Sequence, residues 1–148
     1  MKQSPDIQYS IRLKDIFFPK VNLSVGEELK KNIGPELNVN LQFEISPYPG
    51  NSRLYQILFN VSVKNEDTSF NLDVVSVAFF ETNIDIDEQF LDSVFTKVNS
   101  PAIVFPFVRS FINTLTSNAG FHPVILPAYN FTQSKPVDDE SPDNPVQS

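Results

Sequence analysis

A chain of 148 residues with 11 Lys and Arg against 18 Asp and Glu, a formal charge of −7, suits one domain with a core of useful size. The acidic balance speaks against nucleic acid and anionic membrane surfaces, which need a basic footprint, and the absence of Cys removes disulfides, Cys–zinc sites and thiol nucleophiles together. Fourteen Phe, no Trp and only four Gly mark a folded, β-rich protein, and the first residues, MKQSPDIQYS, have no apolar run that would serve as a signal or a membrane span, so the cytoplasm is the expected compartment.

In chain order, residues 7–18 alternate, with Ile7, Tyr9, Ile11 and Leu13 on one face, and predict a strand that Pro19 ends. Lys14-Asp15 breaks the alternation ahead of Ile16-Phe17-Phe18, which points to a bulge near Asp15. Residues 20–35 are polar, carry Gly26 and Gly34, and read as a crossover loop with room for one turn at 27–31. Leu37, Val39, Leu41, Phe43 and Ile45 give a second strand, closed by the Pro47-Tyr48-Pro49-Gly50 turn. Tyr55, Ile57, Phe59, Val61 and Val63 share a face of the third, and Asn65-Glu66-Asp67 turns into a fourth over 69–81, apolar on both faces at its centre.

Asp87-Glu88 opens a short helix that should run to Val98, since acids are favoured where the first N–H groups are free. Asn99-Ser100-Pro101 signals a second start, with Ser100 as cap. Ile103, Val104, Phe107, Val108, Phe111, Ile112 and Leu115 then follow at helical spacing, and Pro106 should bend the helix or end its first turn. Gly120 supplies a left-handed end. FHPVILPAYNF is apolar but twice interrupted by Pro, so it is neither helix nor central strand. Beyond 131, three Pro and four acids predict a disordered tail, giving a domain at 1–131 and a tail at 132–148.

The helix and loop carry a resemblance. Pro101, Ile103, Phe105, Pro106, Phe107 and Arg109, with Val104 in a Leu position, are similar to the Pro-x-Ile-Leu-Phe-Pro-Tyr-Ala-Arg block of the protein-export chaperone family SecB. Phe121, Pro123, Leu126, Asn130 and Phe131 resemble that family's connecting loop, with the first Pro displaced by one residue. Glu66-Asp67-Thr68-Ser69-Phe70 looks like its Glu-Glu-Thr-Ala-Phe hairpin, and the resemblance spans residues 7–131. It implies an α+β fold: a four-stranded antiparallel sheet (strand, long crossover loop, three-stranded meander), then a short and a long helix on one face, then the apolar loop. It also implies a homotetramer built as a dimer of dimers, with the long helices between dimers. Two departures stand out. Ile33 occupies a position where the family often has Trp, and a Pro-rich segment stands where the family has a second helix and a basic end.

By that resemblance Ile33, Leu37, Phe70, Phe121, Val124, Leu126, Tyr129 and Phe131 line a groove for unfolded clients. For the loop residues there is independent support, because a Pro-interrupted loop is expected at the surface and exposed apolar patches mark interaction sites; core packing is the alternative. Phe105, Phe107, Phe111 and Leu115 read as core or oligomer contacts, the ordinary fate of a helical apolar stripe. Asp15 and Asp73 resemble the acidic surface offered to the SecA motor ATPase, although isolated strand carboxylates are commonly just solvated. Nothing looks catalytic. The one His, His122, has no triad partners, and Asp85, Asp87 and Glu88 lack the Gly of a calcium loop and read as helix-start acids. No phosphate-binding loop, metal site or cofactor is expected. The expected function is an ATP-independent holdase for unfolded or precursor proteins in export. The alternative is a SecB-like adaptor dedicated to one partner, such as the antitoxin of a toxin–antitoxin pair.

Overall fold

Four strands, β1 (Ile11–Val25), β2 (Leu37–Pro47), β3 (Leu54–Asn65) and β4 (Phe70–Thr82), form one antiparallel sheet in the order β1-β4-β3-β2. The computed structural model describes residues 9–26, 37–65 and 69–132; Ile33, the turn expected at 27–31, hairpin residues 66–68 and the segment after 132 lie outside them. β1 lies beside β4 and β2 at the opposite edge, so the first two strands in the chain are not neighbours in the sheet.

The alternation read from β3 is realised in full. Tyr55, Ile57, Phe59, Val61 and Val63 are all 0% exposed, and β4 contributes Phe70, Leu72, Val74, Ala78 and Phe80 to the same face. Burying a side chain of this size contributes about 1.5–3 kcal/mol, so the central β3–β4 pair concentrates the sheet's stability. One polar atom interrupts this face: the Ser76 hydroxyl is buried and has no hydrogen-bond partner among the described residues.

β1 departs from expectation. The bulge is there, between Leu13 and Asp15, but the strand does not end at Pro19 and takes in residues 20–25 of the expected loop. Pairing skips Phe18 and Pro19 between Phe17 and Lys20, then resumes as Lys20↔Val75 through Val25↔Phe70. An edge strand tolerates Pro at a bulge because no ladder bond needs its missing N–H.

The helical region also differs. α1 covers only Glu88–Leu91, capped by Asp87, whose carboxylate accepts the Phe90 N–H at 2.8 Å. The Ser93 and Thr96 hydroxyls both donate to the Phe90 carbonyl at 2.6 Å and draw it from the helical ladder. A π-helical turn, Phe95–Asn99, then leads directly into α2, Ser100–Asn118. Asn99 is therefore already helical, and Ser100 is not a cap. Its hydroxyl donates to the Phe95 carbonyl at 2.8 Å and lies 2.6 Å from the Tyr55 hydroxyl, tying the turn to the sheet. Burial pushes the Tyr55 phenol up to about 12.

α2 continues through Pro106. It lays Val104, Phe105, Val108, Ile112 and Thr116 on the sheet's inner face, and Phe111 stacks on Phe18 at 3.9 Å between ring centres. Its end is a Schellman motif: the N–H of Gly120, at φ +93°, donates to Ser117 and that of Phe121 to Thr116, which occupies two of the last free carbonyls.

Candidate interaction surface

Thr116 sets the course of the loop after α2. Fully buried, it donates its hydroxyl to the Ile112 carbonyl at 2.8 Å and accepts the Val124 N–H at 2.8 Å. With Val124 turned inward, the next side chains sort themselves. Val124 (4% exposed) and Leu126 (0%) enter the core, while Ile125 between them is 63% exposed. Phe131 re-enters at the far end, with ring centres 5.8 Å from Phe43, 5.7 Å from Phe105 and 6.1 Å from Phe59. Tyr129 packs 4.8 Å from Phe131 yet remains 40% exposed.

This divides the residues expected to form a client groove. Phe70, Val124, Leu126 and Phe131 are buried within the protomer, Val124 through the Thr116 anchor and Phe131 in the aromatic cluster on Phe43 and Phe59. Leu37 on β2 and Phe121, set edge-on to Phe70 at 5.7 Å, are half-buried. Tyr129 is open to solvent, and Ile33 lies outside the described residues. The expected helix contacts divide likewise. Phe105 is core, Phe111 and Leu115 are half-buried against it, and Phe107 is 49% exposed.

Two residues join the outward set without having been singled out for it: Ile103, one turn before Phe107 on α2, and Ile125. A periodic signal was available for Ile103. For Ile125 the signal is a Thr in the last helical turn, which can bond back to the helix and hold the loop. Phe105, Pro106, Arg109, Ser110, Asn113 and Ile125 line a shallow groove of about 340 Å³ between α2 and the loop.

The sheet's other face carries a second apolar area. Phe17 and Phe79 stack at 5.8 Å, Tyr48 meets Phe79 edge-on at 5.5 Å, and Leu58 and Val77 are paired neighbours there. Asp15 and Asp73 both occupy this face but not together: Asp15 pairs with Phe79 and Asp73 with Asn22, six residues apart along β4, or about 20 Å. Nearby, Glu81 pairs with Lys14 and Arg12 at 3.1 Å each, and Lys14 before Arg12 holds its carboxyl below the usual range. Among the described residues no group of His, Asp or Glu could hold a metal ion, and no helix is long and apolar enough to cross a membrane.

Known proteins share this arrangement. The chain is 26% identical over 141 residues to protein-export protein SecB of Bartonella bacilliformis, covering 92% of this chain and 86% of that one. It is 29% identical over 127 residues to an uncharacterised protein of Methanocaldococcus jannaschii, covering 82% and 79%. Among solved structures, a SecB-like chaperone of Mycobacterium tuberculosis, in complex with a ChAD peptide from the HigA1 antitoxin, superimposes with a TM-score of 0.62 at 17% identity, over 81% of this chain and 90% of that one. That superposition speaks for the fold: strand, crossover, meander, short helix and long helix. The family model of preprotein translocase subunit SecB matches residues 2–134, and with the sheet order and the Pro-containing helix in agreement, the chain belongs to the SecB family of protein-export chaperones.

Proposed function

We propose that this protein is an ATP-independent holdase that binds unfolded or precursor chains through the outward side chains of the loop that follows α2. The observation that carries the reading is the pair Ile125 and Tyr129, 63% and 40% exposed although large and apolar, while Ile103 and Phe107 on the outward face of α2 are left for contact between protomers. Exposed apolar surface of this kind marks interaction sites, and an unfolded chain offers apolar side chains to cover it. No chemical step and no cofactor is needed: binding the unfolded state draws it away from aggregation by mass action.

The magnitude decides how such a surface has to work. At about 1.5–3 kcal/mol for a fully buried side chain, covering the exposed part of these two contributes roughly 1–2 kcal/mol each, which does not exceed the cost of association, about 4–15 kcal/mol. One protomer is therefore too weak a holder. A homotetramer arranged as a dimer of dimers would supply several such surfaces to one client and raise the affinity without sequence specificity. We place this activity in the cytoplasm, ahead of export. Delivery to the SecA motor ATPase would use the outer sheet face with Asp15 and Asp73, where a basic partner is favoured.

The test is a panel of unrelated, chemically unfolded proteins, with binding measured at the chaperone's assembled mass. Binding to several supports the holdase. Binding to a single partner, such as an antitoxin, with none to the others would replace it with the dedicated adaptor. Leu126 and Phe131, being core, are poor probes because their loss would unfold the chain; Ile125 and Tyr129 are suitable.

A further inference from the structure

The sheet's outer face is an apolar island with charges on its rim. One row across it runs Phe17, Val77, Leu58 and Glu44, the paired positions of β1, β4, β3 and β2. The next row toward the Tyr48 turn holds Asp15, Phe79 and Gln56, and the next one the other way holds Lys20, Val75 and Asn60. Phe17 and Leu58 are 43% and 38% exposed, and Phe79 stacks on Phe17 from the neighbouring row. One row further out, Arg12 and Glu81 lie at one end, Asn22 and Asp73 at the other. Among the described residues Asp15, Lys20 and Asp73 have no ion-pair partner, whereas Glu81 is held by both Lys14 and Arg12.

This pattern is its own complement. A twofold axis laid along the Phe17, Val77 and Leu58 row, between two facing sheets, exchanges the Asp15 row with the Lys20 row. Asp15 of one copy then stands over Lys20 of the other, and the pair occurs twice because a twofold contact repeats itself. Phe17, Val77 and Leu58 each meet their own copy, and Phe79 meets Val75. Asp73 faces Glu81, whose surroundings Lys14 and Arg12 leave net positive. Glu44, at the end of the central row, meets its own copy and opposes the contact. The face is also large enough. Four strands about 4.8 Å apart, over about ten residues rising about 3.4 Å each, span roughly 600 Å². Two copies therefore cover about 1,200 Å², where stable interfaces begin.

We propose that the outer sheet face pairs with the outer sheet face of a second copy of this chain, about this twofold axis. Facing sheets sit about 10 Å apart with their strands nearly aligned, a gap that Phe and Leu side chains fill. Pairing covers Asp15 and Asp73, so it and a basic partner on this face exclude each other. The inference goes beyond the holdase reading and does not depend on it, since the loop after α2 lies on the other side of the sheet.

The test is charge exchange on the rim, read on the full chain as mass against concentration by sedimentation. The parent should gain mass with concentration beyond its smallest assembly. Asp15→Lys or Lys20→Asp alone should weaken that step about tenfold, since each turns two attractive pairs into two repulsive ones. An equimolar mixture of the two single variants should regain it, because a mixed pair of copies restores both attractive contacts. Glu44→Gln should strengthen it about two- to threefold by removing the one opposing pair. These side chains are exposed, so melting temperatures should stay close to the parent's. A parent of constant mass overturns the pairing, as do single variants that associate like the parent or a mixture no tighter than its components. Suppression of client aggregation is measured on the same samples, so a failure of the pairing leaves the holdase reading to its own result.

Discussion

Replacing Thr116 by Val tests whether one hydroxyl sets the loop. The side chain is fully buried, with its oxygen 2.8 Å from the Ile112 carbonyl, 3.2 Å from that of Asn113 and 2.8 Å from the Val124 nitrogen. Val has nearly the same volume, so packing is preserved and the Val124 N–H loses its acceptor. An orphaned buried donor costs about 1–3 kcal/mol, so Thr116→Val should lower unfolding stability in urea by about 2 kcal/mol. Thr116→Ser keeps the hydroxyl and loses one methyl, about 0.8 kcal/mol. The ordering is what discriminates: a packing account puts Val above Ser, and the hydrogen-bond account puts Ser above Val. Hydrogen exchange at Val124 gives a local readout, expected to speed up about 30-fold for a 2 kcal/mol loss. A Thr116→Val protein as stable as the parent, or a Ser variant less stable than Val, refutes the anchor.

Further outcomes follow from other sites. The Tyr55 phenol is held up to about 12 in the fold against 10 for an exposed tyrosine, so its contribution is fully present below pH 10 and disappears as pH rises to 12. The shift amounts to about 2.7 kcal/mol, and an alkaline unfolding titration of Tyr55→Phe should lack that part of the pH dependence. Ser76→Ala removes an unpartnered buried hydroxyl and should leave stability in a urea melt unchanged or raise it by up to about 1 kcal/mol, whereas a clear loss would mean that the hydroxyl has a partner. Gly120→Ala puts a side chain at φ +93° and should cost about 1–2 kcal/mol by thermal melt, although a Cβ there meets no neighbour within 4 Å.

The central sheet was legible because Tyr55, Ile57, Phe59, Val61 and Val63 obey the period of a half-buried strand, and one face of β3 is buried throughout. Pro19 misled because its meaning depends on whether the strand is central or at an edge, and that is a property of the whole sheet. The π-turn was hidden for a local reason, namely that two hydroxyls, Ser93 and Thr96, compete for one carbonyl, and hydrophobic spacing does not record such competition. The loop was recognised as apolar and irregular, but in Val124-Ile125-Leu126 three similar side chains carry no pattern that says which turns outward. Thr116, eight residues back, decides it.

The central claim is that the outward side chains of the loop after α2 hold unfolded chains. Its most direct test is aggregation suppression of a chemically unfolded, unrelated protein by the parent and by Ile125→Ser with Tyr129→Ser, alongside melting curves and light scattering for mass. The account predicts suppression by the parent and marked weakening in the double variant, at a melting temperature and mass close to the parent's, since both side chains are exposed. A folded multimer that suppresses nothing, or a double variant that suppresses as well as the parent, would contradict it.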